Sequence, residues 1–271
     1  MGPIGIFDSG YGGLTILDAI RRRLPGYDYL YLGDNARAPY GPRSFDVVCQ
    51  FTRQAVDYLF SQGCRLVILG CNTASAKALR TIQQHYLPSP DHRVLGVIRP
   101  TVEAIGHITT SRHVGILATE GTIRSRSYDL EIHKLFPDIT VTGEPCPLWA
   151  AIVEAGEADS PGADYFVGKR IGRLMQADPL IDSIILGCTH FPLLLDSIRR
   201  HVPQQVAIMS QGSYVADSLA CYLQRHTALE QYCTRGATTR YLTTENAETF
   251  RAKAQQFLGE AITDVESIQL Y

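Results

Sequence analysis

Arg65-Leu66-Val67-Ile68-Leu69-Gly70-Cys71-Asn72-Thr73 and Asp182-Ser183-Ile184-Ile185-Leu186-Gly187-Cys188-Thr189-His190 follow one local plan. In each, an apolar run ends in Gly-Cys, small polar residues follow, and a helical pattern begins. A run apolar at consecutive positions, rather than at alternate ones, predicts a strand covered on both faces, the setting of a parallel sheet. The two cysteines stand 117 residues apart, a domain-sized interval. The repetition predicts two related halves facing one cleft.

The same alternation runs outward from both stretches. Strands are predicted near Pro3–Phe7, Tyr29–Leu32, Leu66–Gly70, Val94–Ile98, Val114–Ala118, Ile139–Thr142, Ser183–Gly187 and Val206–Met209. Helices are predicted at Leu14–Arg23, Phe45–Ser61, Ala74–His85 and Ala163–Gln176. Strand alternating with helix predicts an α/β fold: two similar α/β domains with mainly parallel sheets facing a central cleft. In such sheets chemistry collects at the carboxyl ends of strands. Boundaries near Arg99-Pro100 and Ser210-Gln211-Gly212 give a first domain of 1–98 plus 210–271 and a second of 99–209. In the tail, Ala237–Thr243 reads as a strand and Ala247–Phe257 as a helix, both returning to the first domain.

Composition narrows the function classes. Of 271 residues, 45% are hydrophobic, enough for one large core or two modest ones. With 25 basic and 27 acidic residues the net charge is −2, which favours neither a nucleic-acid surface nor a polybasic membrane patch. Arg21-Arg22-Arg23 falls late in a predicted helix, where cations suit the helix dipole, and reads as a solvated face. No apolar run approaches the roughly 20 residues of a membrane span. Met1-Gly2-Pro3 leads into the first strand without a charged leader, so a soluble, cytoplasmic protein is expected. Seven cysteines, at 49, 64, 71, 146, 188, 221 and 233, are odd in number and form no C-x-x-C or zinc spacing. They read as free thiols in a reducing compartment, most of them buried small hydrophobes.

Three segments carry candidate chemistry. Ile4-Gly5-Ile6-Phe7-Asp8-Ser9-Gly10-Tyr11-Gly12-Gly13-Leu14 is a strand, a glycine-rich turn and a helix start. Its Gly-x-Gly-Gly pattern lacks the third glycine of a dinucleotide fingerprint and the lysine of a P-loop. The plain reading is a tight turn with Asp8 or Ser9 capping the helix; the sharper one places Asp8 in the cleft. Gly70-Cys71-Asn72-Thr73 puts a thiol at a strand end before a helix, with Asn72 and Thr73 available as caps or as ligands for a carboxylate. Gly187-Cys188-Thr189-His190-Phe191-Pro192 repeats this with an imidazole two residues from the thiol, and with Pro192 suited to a first helical turn. Taken singly, each cysteine fits a buried structural thiol equally well.

A pair of thiols has a use that a single one lacks. Inverting an α-carbon removes a proton from one face and returns one to the other, which two bases on opposite sides do directly. One begins as thiolate and the other as thiol; a free cysteine near pKa ~8.5 needs only modest tuning for this. The carbanion formed between them needs preorganised donors, for which Asn72, Thr73, Thr189 and the Ser9 region are candidates.

Asp8-Ser9-Gly10, Gly33-Asp34-Asn35-Ala36-Arg37-Ala38-Pro39-Tyr40-Gly41, Cys71-Asn72-Thr73-Ala74-Ser75-Ala76, Thr119-Glu120-Gly121-Thr122 and Gly187-Cys188-Thr189-His190 occur in that order. Together they resemble the glutamate racemases of bacterial cell-wall synthesis, in the aspartate/glutamate racemase superfamily, from about residue 4 to about 215. The resemblance implies a cofactor-independent and metal-free isomerase, a homodimer, that supplies D-glutamate. It implies Cys71 and Cys188 as proton donor and acceptor, assisted by Asp8, His190 and Glu154. It implies Asp8, Ser9, Pro39, Tyr40, Gly41, Asn72, Thr73, Thr119, Thr122, Thr189 and His190 around the amino acid. Glu154 also reads as an ordinary acid on a helix surface.

Several positions depart from the resembled pattern. Gly70 stands where alanine is usual, Asn35 where threonine is common, and Ser210-Gln211-Gly212 where Asp-Ser-Gly is often found. Arg99 and Thr101 are also unusual. None touches the two thiols. Rival readings are an aspartate or hydantoin racemase, a one-thiol decarboxylase or isomerase of the same superfamily, and a binding protein that keeps the fold without turnover.

Overall fold

The computed structural model describes residues 1–271. Its strands are β1 (Ile4–Asp8), β2 (Tyr29–Gly33), β3 (Leu66–Leu69), β4 (Arg93–Gly96), β5 (His113–Ala118), β6 (Thr140–Pro145), β7 (Ser183–Gly187), β8 (Ala207–Met209), β9 (Thr239–Thr243) and β10 (Val265–Ser267). They form a six-stranded sheet, β10-β9-β2-β1-β3-β4, and a four-stranded sheet, β6-β5-β7-β8. Every neighbouring pair is parallel.

The expected likeness of the halves is topological. Without β9 and β10, the first sheet runs second, first, third, fourth strand; the second sheet runs in the same order. In both, the chain steps from the first strand to one side and then crosses to the other, so the switch point lies between first and third strands. A parallel sheet leaves a crevice at its carboxyl edge there. Cys71 follows the third strand of the first sheet and Cys188 the third strand of the second.

The residues explain the layering. Leu66–Leu69 and Ser183–Gly187 are buried at every position. Side chains of alternate parity enter separate cores. Ile4, Ile6, Leu66 and Ile68 pack with Leu14, Leu17 and Leu219 on one face of the first sheet, while Phe7, Val67 and Leu69 pack with Val48, Val56 and Leu59 on the other. In the second sheet, Ile184 and Leu186 meet Trp149, Val167 and Ile171, while Ile116 and Ile185 meet Val102, Ile105 and Ile132.

Several expectations are corrected. The apolar run Val94–Ile98 is not one strand: β4 ends at Gly96, and Ile98 opens the helix Ile98–Ile108. The segment Ala74–His85 is two helices, Asn72–Lys77 and Leu79–His85, parted at Ala78, whose φ is −116°. The helix Leu14–Arg23 begins without any side-chain cap, so neither Asp8 nor Ser9 caps it; Asp8 Oδ1 instead accepts from the Gly10 N–H at 2.9 Å, closing the turn. After Cys188 comes a 3-10 turn, Phe191–Leu194, that holds Pro192, and only then the helix Leu195–His201. The tail strand starts at Thr239 rather than Ala237; β9 pairs with β2, and β10 adds an edge strand with no counterpart in the sequence reading. All seven cysteines are free, and no helix is long and apolar enough to cross a membrane.

Candidate active site

The carboxyl ends of both sheets border one cavity of about 400 Å³. The end of β1 contributes Ser9, the end of β3 contributes Cys71, Asn72 and Thr73, and the end of β5 contributes Thr119. The end of β7 contributes Cys188, Thr189 and His190. Pro39, Tyr40 and Gly41 come from the loop after β2, and Glu154 from the helix Trp149–Glu154. Two anticipated residues stand behind this wall: Asp8, 1% exposed, and Thr122, also 1% exposed, do not line the cavity.

The first thiol is held by its own backbone. Cys71 occupies the N-cap position of the helix Asn72–Lys77, and its Sγ accepts from the Ala74 N–H at 3.4 Å. The cap is therefore the thiol, not Asn72 or Thr73. Ser9 Oγ lies 3.4 Å from the same sulfur. Burial pushes the Cys71 thiol up to about 12, and the nearby Asp8 carboxyl adds to the rise, while Ser9 and the Ala74 N–H oppose it. Asp8 itself is raised by burial, against the pull of His190 and the Gly10 N–H.

The second thiol has a different neighbour. Cys188 Sγ is 3.9 Å from His190 Nδ1, and His190 Nε2 is 2.8 Å from Glu154 Oε1. Burial alone would lower the His190 imidazole, but the Cys188 sulfur and Glu154 carboxylate outweigh it and raise it to about 10. Burial works to raise Glu154 as well, yet its hydrogen bond with His190 leaves the carboxyl below its ordinary value. The Cys188 sulfur thus has an imidazole beside it, whereas the Cys71 sulfur has the Ser9 hydroxyl, with the buried Asp8 carboxyl near enough to oppose its ionisation.

Threonine hydroxyls join the two halves. Thr73 Oγ1 lies 2.9 Å from Thr119 Oγ1 and 3.3 Å from Thr122 Oγ1, and the last two are 3.0 Å apart. Thr119 also caps the helix Glu120–Ser125 through the Thr122 N–H. Across the other switch point, Thr189 Oγ1 reaches Asp8 Oδ2 at 3.5 Å. Tyr40 lines the wall with its ring, since its hydroxyl is engaged by the Asp34 carboxylate, which also accepts from Arg37 Nε at 2.7 Å and Thr244 Oγ1 at 2.9 Å.

Sequence reasoning missed part of the lining. Tyr11, Asn35, Glu120, Cys146, Glu245, Thr249 and Lys253 border the same cavity. Lys253 Nζ stands 5.4 Å from the centre of the Tyr11 ring, and its charge helps to lower Glu154. Glu245, Thr249 and Lys253 come from the tail, whose docking beside β2 has no local motif. Asn35 and Glu120 do lie inside quoted motifs, and that proximity was the available signal. No group of three or more His, Cys, Asp or Glu side chains is arranged to hold a metal ion.

Two parallel sheets of one topology thus bring a thiol from each equivalent strand end to one cavity. Residues 13–217 match the family described as Asp/Glu/Hydantoin racemase, and the chain belongs to that family. A curated glutamate racemase of Ruegeria sp. (strain TM1040) is 40% identical over 271 residues, spanning 96% of this chain and 98% of the relative. The crystal structure of a glutamate racemase isoform from Bacillus anthracis superposes with a TM-score of 0.92 at 34% identity, covering 99% of this chain and 98% of that one. Glutamate racemase from Francisella tularensis subsp. tularensis SCHU S4, in complex with D-glutamate, superposes with a TM-score of 0.88 at 31% identity over 99% and 97% of the chains.

Proposed function

We propose that this isomerase interconverts L- and D-glutamate without a cofactor, with Cys71 and Cys188 as its two acid/base groups. The observation that carries this reading is the placement of one thiol from each sheet on a single cavity. One thiolate takes the α-proton from one face of the bound amino acid while the opposite thiol gives a proton to the other face. Net, one proton leaves the substrate and one arrives, and the two sulfurs exchange protonation states.

The surroundings suit unequal starting states. His190, raised by the Cys188 sulfur and the Glu154 carboxylate, stands beside the Cys188 sulfur as the group that exchanges charge with it, and Glu154 orients the imidazole. Cys71, with burial and Asp8 both opposing ionisation, begins as the thiol. Asn72, Thr73 and Thr189 supply donors around the carbon that becomes carbanionic. That the relatives are glutamate racemases, and that the Francisella tularensis one is in complex with D-glutamate, favours glutamate as substrate.

The same reading makes the chain a cytoplasmic homodimer that supplies D-glutamate for peptidoglycan. It divides the chain into domains of 1–98 plus 210–271 and 99–209, each built on one sheet. The test is incubation with single enantiomers of glutamate and aspartate, without added cofactor, followed by optical rotation. Decay of the glutamate signal to zero supports the reading. Decay with aspartate alone replaces the substrate, and an unchanged rotation with both rejects turnover.

A further inference from the structure

Two positions that depart from the resembled pattern, Thr101 and Gln211, meet in the structure. Gln211 Nε2 donates to Thr101 Oγ1 at 3.0 Å and to the Tyr128 hydroxyl at 2.8 Å, with the Val97 carbonyl at 3.4 Å. Gln211 Oε1 accepts from Asn72 Nδ2 at 2.5 Å, and the Tyr128 hydroxyl donates to Asn72 Oδ1 at 2.7 Å. Asn72, Gln211 and Tyr128 thus form a closed ring in which every member both donates and accepts. All four side chains are at most 2% exposed, so water does not substitute for a missing partner.

The ring has only one sense. The Val97 carbonyl can only accept, and the Thr101 hydroxyl gives its single proton to that carbonyl at 2.9 Å, leaving it an acceptor toward Gln211. The Gln211 nitrogen must therefore face Thr101, which turns its oxygen to Asn72. Asn72 in turn must present its nitrogen to Gln211 and its oxygen to Tyr128. Asn72 follows Cys71 directly and borders the cavity. Asn72 Nδ2 carries two hydrogens, of which the ring uses one.

We infer that Gln211 is a positioning residue: with Thr101 and Tyr128 it fixes the amide of Asn72 so that an N–H donor meets a carboxylate of the bound amino acid beside Cys71. Gln211 lies just after β8, Tyr128 in the helix Ser127–Leu135 and Thr101 in the helix Ile98–Ile108. The catalytic corner of the first sheet is thereby held by elements that flank the second. The inference rests on the racemase reading for its substrate, and on geometry alone for the ring.

The test compares Gln211→Leu and Tyr128→Phe with the parent chain and with both changes in an Asn72→Ala background. Each single variant should raise KM for both enantiomers about tenfold, the effect of one well-placed hydrogen bond to a charged group, with a smaller change in kcat. In the Asn72→Ala background the same changes should alter kcat/KM by less than about twofold, because the group they position is gone. Losses that multiply fully in that background, or an unchanged KM in both single variants, would overturn the inference. Tyr128→Phe keeps the test open if Gln211→Leu fails to fold. If the parent chain leaves glutamate untouched, the racemase reading fails on its own. The ring is then read from the Asn72 side-chain amide in ¹⁵N spectra: solvent exchange that is slow in the parent and fast in Tyr128→Phe supports it, and equal exchange overturns it.

Discussion

His190 Nε2 lies 2.8 Å from Glu154 Oε1, and through that contact a helix of the second half sets the charge beside Cys188. The imidazole is buried, which by itself favours the neutral form; the carboxylate and the sulfur reverse this and carry it to about 10. Because the folded-state value is raised, His190 contributes stability fully below its ordinary value near 6.5. That contribution is lost as pH rises from there through about 10.

Glu154→Gln should therefore release the imidazole toward neutrality. The alkaline limb of the kcat/KM profile should move to lower pH, and activity at neutral pH should fall about tenfold. A pH–rate profile of the variant checks this. An alkaline limb that stays in place would separate Glu154 from the chemistry.

The unlike neighbours of the two sulfurs predict unlike reactivity. Limiting iodoacetamide near neutral pH should label Cys188 before Cys71, because burial and the nearby Asp8 carboxyl hold Cys71 as the unreactive thiol. Peptide mapping after partial inactivation reads the order. Prior labelling of Cys71 would reverse the assignment of starting states.

Replacing either thiol should remove general acid–base catalysis. Cys71→Ala and Cys188→Ala should each lower racemisation of both enantiomers by roughly 10²–10⁴-fold or more. Polarimetry from each pure enantiomer measures it. Near-parental turnover in either variant would end the two-base account.

The glycine-rich turn predicts a purely steric loss. A Cβ at Gly12 would lie 2.2 Å from Thr189 Oγ1 and 2.5 Å from His190 Nδ1, so this glycine lets the first half press against the second at the Cys188 corner. Gly12→Ala should cost more than about 10²-fold in kcat/KM with the circular dichroism spectrum retained, since a displacement near 1 Å in a positioned group has effects of that size. Full activity would show that the corner yields without consequence.

How far the sequence revealed this molecule depends on where chain and burial coincide. Leu66–Leu69 and Ser183–Gly187 were legible because a parallel strand buried on both faces is apolar at nearly every position. The same rule misled at Val97 and Ile98, which are buried at a helix start and so prolong the apolar run past the end of β4. The short β10, with Glu266 and Ser267 exposed on a sheet edge, carries no apolar alternation. Within the site, residues at strand ends were readable from their motifs. Lys253 and Glu245 were not, because tertiary docking of the tail brings them to the cavity. The ring around Asn72 was invisible for a similar reason: its members are scattered from 72 to 211, and Gln211 and Thr101 showed only as oddities.

The most direct test of the two-thiol account is racemisation of one glutamate enantiomer in D₂O, stopped early, with the α-position of each enantiomer read by mass spectrometry. Opposed thiols predict deuterium in the newly formed enantiomer, delivered from a sulfur already equilibrated with solvent, and protium in the unreacted one. A product that keeps the substrate's own proton would contradict the account, because it would mean that one group removes the proton and returns it to the other face.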